Sequence, residues 1–311
     1  MSPRVLKFGG TSVGSAGPLA VALKLVAEAR TERPVVVVAS ALAGVTNQLI
    51  EALGSARDGA LDPAAFTAAL AGRHRELLAA VAPGPLGATA TLALRRTLAE
   101  VEVLLGSIRH SGRIAPVTAD RVLAAGERLS VLVFAAGLTA LGVPAEAVDA
   151  TELIATDGRF GEAEVDEAET GRRTRQRLSR LAEVVPVVTG FFGAGPGGET
   201  TLLGRGGSDT SATLVAAALG AERVEIWSDV DGVFTADPRH CPEARLLPQL
   251  SFEQAALLAE AGAKVLHPKS VAPAARHGIP IWVRNTFSPL SVGTWISAEL
   301  PAGRELSDAF A

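Results

Sequence analysis

Val5-Leu6-Lys7-Phe8-Gly9-Gly10-Thr11-Ser12-Val13-Gly14 runs from an apolar strand through a glycine pair into a helix start. Glycines at such a junction let the backbone approach a ligand without Cβ interference, and the helix start offers free amides to an anion. Thr11 and Ser12 add hydroxyls and a helix cap. The order matches neither standard phosphate motif, because the lysine of a P-loop follows its glycines and G-x-G-x-x-G is not formed here. On this segment alone two readings stay open, a phosphate site and a tight strand-to-helix turn with a snorkelling lysine.

Outward from this junction, short β-branched runs alternate with longer Ala- and Leu-rich segments at helical spacing, the pattern of an α/β fold with a mainly parallel sheet. Residues 35–40, 184–188, 223–227 and 279–283 read as strands. Leu19, Leu23 and Val26 share one face of the helix expected after the glycine pair. From Ala56 to about Ala119 the chain is Ala-rich and helical in pattern, interrupted at Ala82-Pro83-Gly84-Pro85-Leu86-Gly87. This is an excursion from the sheet, read either as a mobile cover or as packing. A second excursion, Ala155 to Arg180, carries Glu162, Glu164, Asp166, Glu167 and Glu169 and then several arginines, the pattern of a solvated face. No internal repeat or low-complexity linker divides the chain, so any two lobes share one continuous architecture.

A chain of 311 residues can bury a full core, as one large or two modest domains. Its 29 Lys and Arg against 33 Asp and Glu leave a net charge of −4 with no long basic run, which argues against nucleic-acid and membrane-surface partners. The single cysteine, Cys241, cannot form an internal disulfide and fits a reducing compartment. Met1 leads straight into a strand without a signal region, and no apolar stretch is read as reaching the roughly 20 residues of a membrane helix. A soluble cytoplasmic protein is expected.

A second glycine loop, Leu203-Gly204-Arg205-Gly206-Gly207-Ser208-Asp209-Thr210-Ser211, leads into an apolar helix. Its arginine offers a planar fork to a carboxylate or phosphate, and its aspartate can accept from an ammonium group, so together they suit a zwitterion. An internal Arg205–Asp209 salt bridge is the structural alternative. The third loop, residues 227–239, holds Asp229-Val230-Asp231-Gly232 but fails the EF-hand pattern, since His240 stands where a bidentate Glu is required. Its acceptors, closed by Arg239, suit a nucleotide cradle or simply Asp-Gly and Asp-Pro turns. Lys264 follows in Gly262-Ala263-Lys264-Val265-Leu266-His267-Pro268. None of His74, His110, His240 or His277 has metal-ligand spacing, and His267, beside Pro268, reads as structural.

Lys-Phe-Gly-Gly-Thr-Ser-Val at 7–13, the segments at 40–47, 126–130, 159–161 and 204–209, Asp-Gly-Val-Phe-Thr-Ala-Asp-Pro-Arg at 231–239 and the run at 262–268 form a colinear series that resembles the aspartokinases over about residues 4 to 297. The resemblance implies the amino-acid-kinase fold, a three-layer αβα sandwich with a mainly parallel central sheet. It implies one catalytic domain over 1–300, with an amino-acid-binding lobe over about 1–218, an ATP-binding lobe over about 219–300 and a short tail at 301–311. The implied reaction is phosphorylation of the L-aspartate side chain by ATP with Mg2+, giving 4-phospho-L-aspartate and ADP on the route to lysine, threonine and methionine. The alternatives are a relative that acts on another acidic amino acid and a catalytically silent, ligand-binding relative.

By the same resemblance, Lys7 and Asp209 are the catalytic residues. Arg205 clamps the α-carboxylate, and Glu127 and Asp209 hold the ammonium group. Ser40, Thr46, Phe191 and Ser208 complete the amino-acid pocket. Lys7, Gly9, Gly10, Ser228, Asp229, Phe234, Arg239 and Lys264 surround ATP, and no protein ligand is assigned to the metal. Phe234 stands where many aspartokinases have tyrosine, and Ser228 where many have threonine. The expectation includes no regulatory ACT domain after Gly293-Thr294-Trp295-Ile296, which leaves a homodimer or a separate regulatory protein open.

Overall fold

The computed structural model describes residues 1–238, 240–241, 243–260 and 266–298. In chain order its strands are β1 (Arg4–Phe8), β2 (Val35–Ala39), β3 (Ala145–Val148), β4 (Ala155–Thr156), β5 (Val165–Asp166), β6 (Val185–Thr189), β7 (Phe192–Ala194), β8 (Thr200–Leu202), β9 (Arg223–Ser228), β10 (Val233–Phe234), β11 (Leu246–Leu247), β12 (Gln249–Ser251), β13 (Ile281–Asn285) and β14 (Thr294–Ser297). The helices are α1 (Gly10–Val13), α2 (Ala16–Glu32), α3 (Val45–Arg57), α4 (Pro63–Val81), α5 (Pro85–Ser111), α6 (Pro116–Ala140), α7 (Glu167–Arg177), α8 (Gly207–Leu219), α9 (Phe252–Glu260) and α10 (Pro268–Arg276).

Among the described residues the main sheet has eight strands in the order β12-β14-β13-β9-β1-β2-β6-β3. The run from β13 to β3 is parallel, and the direction reverses between β13 and β14. The strands read from β-branched runs lie in this sheet, each within two residues of its expected bounds. Their near-continuous hydrophobicity follows from burial on both faces. Leu6, Phe8, Val35, Val37 and Trp227 share one core cluster with α2, α3 and α6, while Val5, Val36, Val38, Val224 and Ile226 share another with α8 and α10. Helices on both faces of this sheet give the three-layer αβα sandwich. β1 lies at the centre, with β2 on one side and β9 on the other. Such a switch point opens a crevice at the carboxyl ends of the strands.

The helical excursion is packing. Leu94, Leu98, Val101, Leu105 and Ile108 of α5 are buried in the same cluster as Leu6 and Phe8 of the central strand. Pro63 and Pro85 start α4 and α5 at positions where the missing N–H costs nothing. Contrary to the expectation that no apolar stretch reaches membrane length, the 25-residue α6 holds an 18-residue window of mean hydropathy 1.5 and is long and apolar enough to cross a membrane. Its apolar length instead lies in the core, with 72% of that stretch buried, because α6 is flanked by the sheet and by α5. It also carries the buried Asp120 and Glu127.

Because Leu105 and Trp227 occupy one cluster, Leu105→Ala should cost about 2–5 kcal/mol in urea unfolding, with tryptophan fluorescence and circular dichroism still coincident. Helical signal lost ahead of fluorescence would mean that the α4–α5 layer folds apart from the core.

Candidate active site

Lys7 is the penultimate residue of β1 and only 8% exposed. Strand alternation turns Val5 and Lys7 toward α8, while Leu6 and Phe8 face the other layer. Asp209 stands in the first turn of α8, where a negative charge suits the helix dipole, and its Oδ1 lies 2.6 Å from Lys7 Nζ. The distance is that of an ion pair, but the approach lacks hydrogen-bond alignment, and Oδ1 has no other partner. The Arg205–Asp209 bridge is not formed. Arg205 is exposed and has no ion-pair partner among the described residues.

Glu127 enters from α6. A Cβ at Gly126 would lie 2.8 Å from Ala41 Cβ, so the missing side chain is what lets α6 approach the turn after β2. At that separation Ala41 N donates to Glu127 Oε1 at 3.0 Å. Oε2 is buried without a partner. Burial pushes the Glu127 carboxyl up to about 8, against the lowering by the Ala41 amide and the Lys7 charge. Next along α6, Arg128 is anchored by Asp149 at 2.6 Å and by Thr200 Oγ1 at 3.1 Å, and lies over the Phe192 ring.

The second glycine loop is shaped by its neighbours. Gly206 has φ 73°, and a Cβ there would come within 2.5 Å of His267 Cβ. His267 is structural, as expected: its Nδ1 accepts from Lys269 N at the start of α10. Phe191 has φ 80°, a strained value for a bulky residue. It is held there by Leu203 N donating to its carbonyl, by its own N–H donating to Ser211 Oγ, and by contact with Gly207.

Lys7, Gly10, Ser40, Thr46, Glu127, Phe191, Arg205, Ser208 and Asp209 together line a cleft of about 400 Å³. Every residue expected in the amino-acid pocket is therefore gathered there, with Asn47, the last residue of the 40–47 segment, as an additional wall. Asp120 was not legible as a positioning group. From inside α6 one of its oxygens accepts both Gly161 N at 2.8 Å and Leu202 N at 2.9 Å, tying the 159–161 segment to β8.

On the other side of Lys7, the Gly9 amide donates to Trp227 O at 2.9 Å. The Gly9 amide is therefore not among the free amides expected at this junction, and Gly9 offers space instead: a Cβ there would stand 3.8 Å from Lys7 Nζ. Nor do Thr11 or Ser12 cap α1. Gly9 occupies the cap position, and Ser12 Oγ contacts Trp227 O and Thr286 Oγ1. Ser228 ends β9 half-buried, one residue beyond the carbonyl that holds Gly9. Asp229 is exposed and Phe234 half-buried on β10. Arg239 and Lys264 lie outside the described residues.

Chemically, the cleft offers a fixed cation at one end, a free guanidinium, and a buried carboxyl oxygen ready to accept from a donor. Comparisons with known proteins identify relatives of the chain. Residues 2–285 match the model of the amino acid kinase family. The chain is 35% identical over 305 residues to the bifunctional aspartokinase/homoserine dehydrogenase of Haemophilus influenzae, covering 96% of this chain and 37% of that protein. It is 36% identical to lysine-sensitive aspartokinase 3 of Escherichia coli, covering 94% of this chain and 63% of that one. The solved structure of E. coli aspartokinase III in complex with aspartate and ADP superposes with a TM-score of 0.86 at 34% identity, over 96% of this chain and 65% of that one. The chain thus spans from 37% to 65% of these relatives.

Glu127 carries a pH signature. The native chain keeps a proton that the unfolded chain, with an ordinary glutamate near 4.3, has already released. Stability of the ligand-free protein should therefore fall as pH rises from about 5 to about 8, by at most about 1.4 kcal/mol per pH unit from this group. Glu127→Gln should flatten that slope in urea titrations across the range, and an unchanged slope would place the proton elsewhere.

Proposed function

The chain belongs to the amino acid kinase family, and we propose that it transfers the γ-phosphoryl group of ATP to the side-chain carboxylate of L-aspartate. The observation that carries this reading is the cleft that joins Lys7 to Arg205 and to the open oxygen of Glu127. An α-amino acid matches it group by group. Its α-carboxylate meets the Arg205 fork, and its ammonium meets Glu127, which ionises as the donor arrives, and Asp209. Ser40, Thr46, Phe191 and Ser208 close the pocket, leaving the side-chain carboxylate toward Lys7.

The nucleotide then lies beyond Gly9 and Gly10, against Ser228, Asp229 and Phe234, with Arg239 and Lys264 completing the set. On this reading the lobes divide near residue 218, at the end of α8. Magnesium would accompany the nucleotide, since a cation that dehydrates reluctantly keeps several waters and leans on the phosphates. The aspartate carboxylate, with an ordinary pKa of about 3.9, is already ionised and needs no general base. Its oxygen bonds to the γ-phosphorus as the bond to the bridging oxygen of ADP breaks. Lys7 neutralises charge on the equatorial oxygens, so catalysis is positioning and charge stabilisation. The acyl phosphate product would open the route to lysine, threonine and methionine.

Incubation of the chain with ATP, Mg2+, acidic amino acids and hydroxylamine tests the proposal. Aspartyl hydroxamate is expected; turnover of another acid alone, or of none, would overturn it. Lys7→Met should lower turnover at least about 100-fold. It also strands the largely buried Asp209, so stability should fall, and adding Asp209→Asn should restore stability without restoring turnover. Arg205→Lys, replacing a fork by a point charge, should raise the KM for aspartate more than that for ATP. Equal changes in both constants would remove Arg205 from the amino-acid end.

A further inference from the structure

Arg73 belongs to no recognisable motif, and α4 stands outside the strands and loops that build the cleft. Its Nη2 nevertheless donates to Ala43 O at 2.7 Å and reaches Gly14 O at 3.5 Å. Gly14 ends α1, behind the Lys7–Gly10 turn, and Ala43 lies in the turn between β2 and α3. The two turns are already in close contact. Ala43 N donates to Gly10 O at 3.0 Å, and a Cβ on Gly14 would lie 3.1 Å from Ala43 Cβ. The β2–α3 turn is thus held from within by Glu127 through Ala41 N, and from outside by Arg73 through Ala43 O.

Both contacts come from one nitrogen, and a guanidinium suits this task because its planar fork fixes the direction of the two N–H groups on Nη2, whereas the three N–H groups of an ammonium rotate freely on a flexible stem. Arg73 has no ion-pair partner among the described residues. It is half-buried and lines a separate cavity of about 350 Å³ between α3 and α4, beside Glu51, Ser55, Phe66 and Leu70. Helix α3 thus serves both hollows: Thr46 and Asn47 line the active-site cleft, and Gln48, Glu51 and Ser55 the second cavity.

We propose that Arg73 is a positioning residue for the reaction proposed above. It fixes the separation between the wall that carries Lys7 and the wall that carries Ser40 and Thr46, and so the distance over which the substrate carboxylate meets the γ-phosphate. This inference rests on that functional reading. Arg73 does not touch the substrates and acts through the two backbone carbonyls.

Arg73→Met keeps an unbranched apolar stem and removes every N–H donor. Turnover should fall roughly 10- to 100-fold, as expected for a small misplacement of reacting groups, and the KM for aspartate should rise more than that for ATP. Arg73→Lys, which keeps a donor nitrogen but not the planar fork, should recover part of the loss. In Arg73→Ala, millimolar methylguanidine should restore activity saturably, entering through the cavity beside the vacated side chain. In the ligand-free protein, hydrogen exchange over residues 40–47 should be faster in Arg73→Met than in the parent chain. Parent-like kinetic constants and parent-like exchange in Arg73→Met, whatever its melting temperature, would overturn the proposal and leave Arg73 as an anchor of α4. A parent chain that fails to phosphorylate aspartate would instead refute the functional reading, while the exchange measurement still reports on the clamp.

Discussion

A lysine and an aspartate held 2.6 Å apart at the centre of a buried sheet are the constraint around which the rest of this molecule is arranged. Lys7 cannot leave β1 without breaking the central strand of the sheet, and Asp209 cannot leave the first turn of α8. The pair therefore fixes the two glycine loops relative to each other. Charges that are mostly removed from water cost several kcal/mol each, and removing one partner strands the other. The pair is also incompletely satisfied, since Asp209 Oδ1 lacks a well-aligned donor. A site with that property is stable when empty yet retains electrostatic capacity for a ligand.

Around the pair, backbone segments approach one another closely. The turns after β1 and β2 meet so tightly that a Cβ at Gly10 would lie 2.8 Å from Ala41 O, and the loop after β6 meets the start of α8 so tightly that one at Gly207 would lie 3.1 Å from Phe191 Cα. Glycine here is a spacing device that lets carbonyls and amides define the walls. The strained backbone of Phe191 fits the same economy, because a residue held at φ 80° by two hydrogen bonds and a packed neighbour has little freedom to relax when a ligand leaves.

Much of this was legible in the residues, for a physical reason. Strands buried on both faces leave continuous β-branched runs, and loops that must pass close to a ligand leave glycines next to charges. In the amino-acid pocket only Lys7, Arg205 and Asp209 stood in such a local pattern; Ser40, Thr46, Glu127, Phe191 and Ser208 were expected from the resemblance to the aspartokinases, and they line the same cleft. What could not be read were interactions whose partners lie far apart in sequence. Lys7 and Asp209 are separated by most of the chain, so Asp209 was as readily paired with nearby Arg205. Gly9 resembled a free donor because nothing local announced the Trp227 carbonyl beside it. Asp120 accepts from backbone amides and Arg73 donates to backbone carbonyls of remote segments, and backbone groups have no sequence signature. The apolar length of α6 was similarly ambiguous, because a central core helix and a membrane helix need the same residues.

The unpartnered oxygen of Glu127 has a consequence for discrimination. A carboxyl that stays protonated in the empty cleft carries no charge to repel an incoming acid, and it becomes an anion only when a cationic donor replaces its proton. On the proposed function, a dicarboxylic acid without an amino group would find no counterpart for that oxygen and leave it buried, neutral and unbonded. An N-acylated amino acid would bring a bulkier, uncharged nitrogen to the same spot. The cleft would thus read the free amine by what fails to happen in its absence, and selection among acids of similar shape would be made at the nitrogen end, away from the phosphoryl group.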